Sequence, residues 1–222
     1  MIPRLSKTPA PQSLYLDFIS ELRLRGFAGE ISSTLADRTV LATDNSIYQL
    51  LPQAAVFPKH SDDMIRVVKL ASEARFCSIK LYPRGGGTGT NGQSLGDGLV
   101  VDLSKNMNAI LEINAEQRWA RVQSGVVKDQ LNKELAKHGL FFAPELSTSN
   151  RATIGGMINT DASGQGSCLY GKTRDHVLEL DTVLLDGTLW HSQPLSQDAL
   201  VEVCEQDNLI GHVHGLIAQI HK

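Results

Sequence analysis

The chain has 222 residues, a formal net charge of −3, 41% hydrophobic residues and 20% charged residues, values that are ordinary for a globular protein. A slightly negative charge without a long basic run argues against a nucleic acid as the main partner. No apolar run approaches the roughly 20 residues that cross a bilayer, and residues 1–12 lack the apolar run of a signal peptide.

The three cysteines are far apart in the sequence and form neither a C-x-x-C pair nor a disulfide framework. This spacing favours a reducing, cytoplasmic location. Each cysteine is expected to be a buried small hydrophobic residue rather than a ligand or a nucleophile. The three residues are Cys77, Cys168 and Cys204.

The first half of the chain predicts a βαβ unit preceded by an amphipathic helix. Apolar residues at helical spacing indicate the helices, and short apolar runs bounded by proline or glycine indicate the strands. The helical pattern over 12–27 predicts a helix that Gly26 ends, and a second helix is predicted from an N-cap at Ser61 to about Phe76. The predicted strands are over 54–57, 78–82 and 98–103.

After residue 106 the pattern is typical of antiparallel hairpins and helices. The predicted elements are a hairpin over 109–114 and 118–123, a helix over 126–138 ended by Gly139, a hairpin over 177–185 and 188–191 with an Asp186–Gly187 turn, and helices over 196–206 and 208–221. This order predicts the α+β class. We expect an N-terminal helical extension over 1–52 and two lobes over 53–106 and 107–222. The chain stops inside a helical pattern, which indicates a piece of a longer protein.

The glycine-rich stretch over 82–98 is the most informative part of the sequence. It contains seven glycines, at positions 85, 86, 87, 89, 92, 96 and 98. Glycine permits backbone at positive φ and has no Cβ to obstruct a ligand. Successive amides in such turns can form a concave site for an anion. The stretch therefore predicts a phosphate-binding loop for a nucleotide-type cofactor.

Two better-known phosphate loops do not fit this stretch. Gly87, Gly89 and Gly92 spell G-x-G-x-x-G, but that dinucleotide motif requires a helix to begin inside the loop. Residues 93–98 cannot start a stable helix, because the chain enters another strand. A P-loop requires Lys followed by Ser or Thr after the glycines, and neither pair is present.

A second segment, over 144–171, has matching chemistry. It contains several glycines and a set of uncharged donors that can bind a diphosphate without positive charge. The donors are the hydroxyls of Ser147, Thr148, Ser149 and Ser163 and the amides of Asn150 and Asn159. Two such segments together predict a binding site rather than two unrelated surface loops.

The two segments together resemble the FAD-binding domain of the vanillyl-alcohol oxidase / p-cresol methylhydroxylase (PCMH-type) family. The likeness is carried by PRGGGTGTNGQ over 83–93 and by PELSTS, TIGGMINTDASG and YGKTRDHVLELDTVLLDG within 144–187. It is greatest for bacterial FAD-linked dehydrogenases of D-2-hydroxyacids, the D-2-hydroxyglutarate, D-lactate and glycolate types. The resemblance implies a fold of two lobes, a small βαβ lobe and a mainly antiparallel lobe with helices, and oxidation of the hydroxyacid to the 2-keto acid.

The resemblance also assigns cofactor-binding residues on both segments. In the first segment it implies that the pyrophosphate is bound by Arg84, Gly85, Gly86, Gly87, Thr88 and Gly89, and that Asn91, Gly92 and Gln93 lie on the ribityl and isoalloxazine side. In the second segment it implies that the flavin is lined by Pro144, Glu145, Thr148, Ser149, Gly155, Gly156, Asn159, Ala162, Ser163 and Gly164, with Gly171 and Val177 near the adenine end or the pyrophosphate. The glycine pair would let a helix start direct its amides at the cofactor.

Two positions refine the expectation. Family members that attach FAD covalently often have a histidine immediately after the glycine run, and this chain has Thr88 there, so non-covalent FAD is expected. Asp161 stands where the family usually has asparagine. A carboxylate beside a diphosphate is unfavourable, so Asp161 is expected to turn away and to cap a helix or accept a bond from neighbouring backbone.

Other parts of the family's machinery have no counterpart in the chain. The residues that hold the hydroxyacid belong to a separate domain, so no catalytic residue is assigned and the electron acceptor stays open. Three scattered cysteines cannot bind an iron–sulfur cluster, so a 4Fe–4S cluster is expected only in a C-terminal part of the parent protein. Two alternatives stay open, a flavoprotein like UDP-N-acetylenolpyruvoylglucosamine reductase and a non-catalytic nucleotide-binding module.

Some polar residues have more than one interpretation. Arg174 and Asp175 either contact the cofactor or pair with neighbours at the surface. His212 and His214 are two positions apart and would lie on different faces of a helix, so we interpret them as surface or partner-facing residues. No metal site is predicted.

Overall fold

The computed structural model describes residues 9–220. Three sequence predictions therefore reach outside the described residues. They are the lack of a signal peptide in residues 1–12, the start of the helical extension over 1–52, and the end of the last helix at residue 221.

The described chain folds into eight α-helices and eight short β-strands, with single 3-10 turns at Ala136–His138 and Thr173–His176. The first half contains α1 (Ser13–Leu24), β1 (Glu30–Ser32), α2 (Leu35–Leu41), β2 (Ala54–Phe57), α3 (Ser61–Ser72), β3 (Leu81–Arg84) and β4 (Leu99–Asp102). The second half contains β5 (Ile110–Asn114), β6 (Trp119–Val122), α4 (Lys128–Leu135), α5 (Ile154–Asn159), α6 (Ser167–Tyr170), β7 (Leu180–Val183), β8 (Leu189–Ser192), α7 (Gln197–Cys204) and α8 (Leu209–Ile220).

The first four strands form one sheet in the order β1-β2-β4-β3. Strands β2 and β3 both run parallel to β4, and β1 pairs antiparallel with β2. Helix α3 makes the crossover that parallel strands require. The predicted βαβ unit is confirmed, and the glycine-rich stretch connects β3 to β4 at one edge of this sheet. The predicted α+β class is confirmed as well.

Strand β3 lies about two residues later than predicted. The prediction ended the strand at Tyr82, where the glycine-rich stretch begins, but the structure continues it through Pro83 to Arg84. β3 is an edge strand, and an edge tolerates proline because one side of the strand has no partner.

Two apolar clusters form the interior. In the first, α1 and α3 pack on the sheet, and Phe18 meets Phe76 edge to face at a ring-centroid distance of 5.3 Å. In the second, α4 and α5 pack against the β5–β6 hairpin around Val126, Leu131 and Met157. The division into lobes at about residue 106 stays a prediction.

Two local predictions for α3 are wrong. His60, not Ser61, precedes the first turn of α3, and α3 ends at Ser72 rather than near Phe76. Asp63 of the first turn is fully buried, because its carboxylate accepts the amides of Ala28 at 2.9 Å and Lys59 at 3.0 Å. That carboxylate therefore joins two loops to the helix.

The cysteines differ from their prediction. Cys77 and Cys168 are exposed and Cys204 is half-buried, and all three are free thiols. Cys77 lies in the turns after α3, and Cys168 lies in the single-turn helix α6. The prediction of buried cysteines fails because both exposed residues lie in short connecting segments that run over the surface.

The predicted hairpins and helices of the second half are confirmed. β5 pairs with β6 and β7 with β8, both antiparallel, and Gly139 ends the α4 region with φ 69°. Near the C-terminus, His212 is exposed, whereas His214 is half-buried with its ring 5.3 Å from that of Trp190. Among residues 9–220, no helix has the length and apolar character to span a membrane.

Candidate functional site

The two glycine-bearing segments meet directly in the folded chain. A Cβ added at Gly85 would collide with the side chain of Thr153, and one added at Gly86 would collide with the carbonyl oxygen of Arg151. Glycine is therefore required at these two positions for the close approach of one backbone segment to the other. The structure thus brings together the two segments that the sequence assigns to one site.

The first segment presents a run of free backbone donors. Within the described part of the chain, the amides of residues 86 to 90 have no hydrogen-bond acceptor. Gly87 adopts φ 60° and Gly92 adopts φ 74°, which turns the chain back on itself. Free N–H groups in such turns form the kind of concave site that binds a phosphate oxygen. Thr88 lies inside this run and is half-buried.

The second half of the loop is folded against itself. The side-chain oxygen Oε1 of Gln93 accepts the amide of Asn91 at 3.0 Å. The Gln93 amide group also occupies the space where a Cβ at Gly89 would lie. Gln93 therefore shapes the loop through internal contacts. Its assignment to the cofactor, like that of Asn91 and Gly92, stays a prediction.

Arg84 is engaged with the protein rather than free for a phosphate. Its guanidinium donates to the carbonyl oxygens of Leu41 and Ser94 at 3.3 Å each and of Thr43 at 2.7 Å. Burial lowers the pKa of Arg84 below its usual range, an effect opposed by the charges of Asp102 and Asp44, and the group stays charged. In the structure Arg84 holds the base of the glycine loop, and its contact with the pyrophosphate stays a prediction.

The helix that starts at the second glycine pair does not offer free amides. The amide of Ile154 donates to Val126 at 2.8 Å, and that of Gly155 donates to the carbonyl of Ser124 at 2.8 Å. The amide of Gly156 donates to the N-cap hydroxyl of Thr153 at 3.3 Å. The expectation that this helix start directs its amides at the cofactor is therefore wrong, because the protein itself satisfies them.

The remaining residues of the second segment lie on its surface or support it. The hydroxyls of Ser147, Thr148 and Ser163 make no hydrogen bond to another residue in the range 9–220. Ser149 donates to Asp129 at 3.0 Å, and Asn159 donates to the Gly155 carbonyl at 2.8 Å. The side-chain amide of Asn150 is likewise unpaired among residues 9–220, so it and the three hydroxyls are side-chain donors available to a ligand.

Supporting contacts fix the backbone of the same segment. Gly164 lies against the carbonyl of Glu145 with no room for a Cβ. Pro144 is buried, and the carbonyl of Ala162 accepts the hydroxyl of Thr173 at 2.6 Å. Further along the chain, Gly171 turns at φ 82° and Val177 is half-buried. Contacts within the protein therefore fix the backbone of this segment at several predicted residues, and the contact of these residues with a cofactor stays a prediction.

Asp161 behaves as expected. It follows α5 with φ 46°, and its Oδ1 accepts the backbone amide of Arg174 at 3.1 Å. Its Oδ2 lies 3.5 Å from the guanidinium of Arg174 and 3.9 Å from Lys172. The carboxylate is thus paired with backbone and cations of its own neighbourhood.

Arg174 and Asp175 pair locally. Besides Asp161, Arg174 approaches the Asp175 carboxylate at 3.9 Å. Asp175 in turn accepts the backbone amide of Lys172 at 2.8 Å. Of the two interpretations that the sequence left open, the structure shows pairing with neighbours.

Sequence reasoning missed two residues at the contact between the segments, Arg151 and Thr153. Thr153 is buried, caps α5 and packs under Gly85. The signal was present, because a threonine directly before an apolar residue and a short helical run is a common N-cap pattern. Arg151 contributes through its carbonyl oxygen, which any residue carries, so its side chain gave no signal.

The arrangement suits a diphosphate ligand. Five consecutive loop amides and three hydroxyls are unpaired among the described residues, and the neighbouring carboxylate of Asp161 is already paired. Charge on the ligand would be met by backbone dipoles rather than by basic side chains. The fold and the site thus define a cofactor-binding domain of the nucleotide diphosphate type.

Comparison with known proteins identifies the family. The protein-family model described as "FAD binding domain" matches residues 52–193. The chain belongs to this family. FAD is the cofactor that the family binds, and it carries the diphosphate that the site suits.

Relatives extend the likeness over the whole chain. The chain is 64% identical over 222 residues to a D-2-hydroxyglutarate dehydrogenase of Pseudomonas putida, and 52% identical over 219 residues to one of Escherichia coli. Those matches cover 100% and 99% of this chain but 22% of each relative. The chain thus spans about a fifth of the length of these proteins.

Solved structures confirm the fold. An alkyldihydroxyacetonephosphate synthase superimposes with a TM-score of 0.74 and 21% sequence identity, over 88% of this chain and 38% of that one. At this identity the match establishes the fold alone. The predicted PCMH-type architecture is confirmed.

Proposed function

We propose that the chain is the FAD-binding part of a flavin-dependent dehydrogenase that oxidises a D-2-hydroxyacid, of the D-2-hydroxyglutarate or D-lactate type, to the 2-keto acid. The observation that carries the proposal is the meeting of the two segments at Gly85–Thr153 and Gly86–Arg151. The identity of 64% to a protein named D-2-hydroxyglutarate dehydrogenase supports the substrate class. Since the chain spans 22% of that relative, the reaction belongs to the whole protein.

The residues of this chain bind and orient the cofactor in this proposal. The loop amides of residues 86 to 90 donate to the diphosphate, and the hydroxyls of Thr148 and Ser163 donate from the second segment. Bound FAD would accept the two electrons removed from the substrate carbon that carries the hydroxyl. We assign no acid or base to this chain, because the residues that contact the hydroxyacid belong to the separate domain that the resemblance implies.

The organisation and location form part of the same proposal. We infer two lobes over 53–106 and 107–222, supported by the two apolar clusters. Three free thiols without a disulfide support a cytoplasmic location.

The full-length gene product tests the proposal. We expect the purified protein to bind FAD, and we expect D-2-hydroxyglutarate or D-lactate to bleach the flavin in the absence of air. The same substrate should reduce an artificial dye acceptor and yield the corresponding 2-keto acid, whereas its L-enantiomer should not. A protein that binds FAD but is reduced by no D-2-hydroxyacid would contradict the reaction, and one that binds no FAD would contradict the whole proposal.

A further inference from the structure

The connection between α2 and β2, residues 42–53, contacts the glycine loop. Arg84 binds its backbone through the carbonyl of Thr43 at 2.7 Å. The hydroxyl of Ser94 donates to Asp44 at 2.8 Å. At the tip, the ring of Tyr48 lies against Gly92, so that a Cβ there would be 3.0 Å from the ring. The connection is therefore fixed relative to the loop that presents the free amides.

This fixed connection carries uncovered apolar side chains. Tyr48 is 58% exposed and Ile47 is 96% exposed. The hydroxyl of Tyr48 has no hydrogen-bond partner among residues 9–220. An exposed aromatic residue beside a ligand-binding loop, held there by three polar and packing contacts, is typical of a binding wall.

We propose that Tyr48 is a further FAD-binding residue, whose ring contacts the isoalloxazine end of the cofactor while Ile47 extends the same wall. The inference rests on the proposed function and deepens it. Gly92 follows the free amides of residues 86 to 90 by two positions and lies against Tyr48. If those amides bind the diphosphate, a ring system of FAD would be within reach of Tyr48. The isoalloxazine has a dimethylated apolar edge, whereas the rim of adenine carries nitrogens, so the apolar surface of Ile47 and Tyr48 matches the isoalloxazine.

The test compares FAD with ADP, which has the diphosphate and the adenine but no flavin. In the full-length gene product, Tyr48→Ala should weaken FAD binding about tenfold, because an aromatic contact of ordinary strength is lost. It should leave the affinity for ADP within about twofold of the wild type. Tyr48→Phe keeps the ring and should retain most of the FAD affinity. The fluorescence of bound flavin should rise in Tyr48→Ala, because a nearby tyrosine ring quenches it.

Leu24→Ala is the matched control. Leu24 is 83% exposed and ends α1, near Arg25, which pairs with Glu73 just after α3. The proposed site uses neither Leu24 nor this ion pair, so neither affinity should change. Thermal unfolding of each variant without FAD distinguishes a loss of binding from a loss of folding.

The outcomes separate this inference from the function. If the wild type binds FAD and folded Tyr48→Ala binds it equally well, Tyr48 does not contact the flavin and the inference is wrong. If Tyr48→Ala weakens ADP as much as FAD, the ring contacts the adenine end, and the inference is again wrong. If the wild type binds no FAD, the proposed function itself fails.

Discussion

Gly86 is fixed by a contact between two backbone segments rather than by its own conformation. A Cβ at this position would overlap the carbonyl oxygen of Arg151, and backbone cannot move aside as a flexible side chain can. We expect Gly86→Ala to lower the free energy of unfolding by about 1–3 kcal/mol, as overpacked sites do. It should also weaken FAD binding, because Gly86 belongs to the run of free amides.

Chemical denaturation and FAD titration of Gly86→Ala measure both effects. Gly215→Ala is the control, since no atom lies within 4 Å of a Cβ at that helical position. That variant should be unchanged or stabilised by up to about 1 kcal/mol. Equal stability and equal FAD affinity of Gly86→Ala and the wild type would contradict the close contact of the two segments.

Asp161 combines a left-handed backbone with a hydrogen bond to the amide of Arg174. Asparagine suits both features, so Asp161→Asn should leave the free energy of unfolding within about 0.5 kcal/mol of the wild type. Asp161→Ala should lose about 1–3 kcal/mol, from the missing bond and the strained φ. Asp161→Gly separates the two effects, because it relieves the φ but lacks the bond. If Asp161→Ala is as stable as the wild type, the side chain does not hold this turn.

At the scale of elements, the residues that lead from the glycine loop into β4 contact the first residues of β3 and the residue before it. The ring of Tyr82 covers Gly96. Its hydroxyl donates to Asp97 at 2.9 Å, and Lys80 lies 3.2 Å from the same carboxylate. The hydroxyl of Tyr82 and then the ammonium of Lys80 lower the pKa of Asp97 below its usual range.

This lowered pKa makes the contribution of Asp97 depend on pH. The folded pKa lies below the unfolded value of about 3.9, so the stabilisation is present above about pH 4 and is lost as the pH falls through the folded pKa. We expect Asp97→Asn to be less stable than the wild type near pH 7, with a difference that shrinks as the pH falls below about 4. Urea unfolding at several pH values measures it, and Tyr82→Phe should show the same trend more weakly. A difference that does not change with pH would rule out the ionised carboxylate as its origin.

The elements that sequence predicted well are those with strong periodicity or clear ends. Helix α1 has four buried residues on one face, and β2 has the predicted bounds. β1 and α2 were not predicted, because β1 has three residues and α2 has seven. For α2 the signal existed in Thr34, whose hydroxyl accepts the amide of Asp37 at 3.2 Å as an N-cap.

Across the whole molecule, the sequence predicted two segments that the structure brings together, but not which contacts each of their residues makes. The two segments can meet because Gly85 and Gly86 have no Cβ that would clash with Thr153 and Arg151. The atom that Gly86 avoids is a backbone carbonyl oxygen, which every residue has, so the sequence carries no side-chain signal for this contact. Arg84 looked like a phosphate ligand, yet its guanidinium donates to three carbonyl oxygens, two of which belong to Leu41 and Thr43 outside the loop. Likewise, the amides of α5 looked free until the fold placed the carbonyls of Ser124 and Val126 beside them. Long-range partners of this kind follow from the tertiary fold and not from local pattern.

The same two-segment site predicts how FAD is held by the full-length gene product. Thr88 follows the glycine run, and a threonine hydroxyl at this place is expected to leave the flavin without a covalent bond. Acid precipitation should therefore release the flavin into the supernatant, and a pellet that stays yellow after washing would contradict this prediction. Because FAD would contact segments from both halves of the chain, it should stabilise the fold as a whole. At a free concentration of 100 times its Kd, FAD should raise the free energy of unfolding by about 2.7 kcal/mol, measured as a rise in Tm that Gly86→Ala reduces.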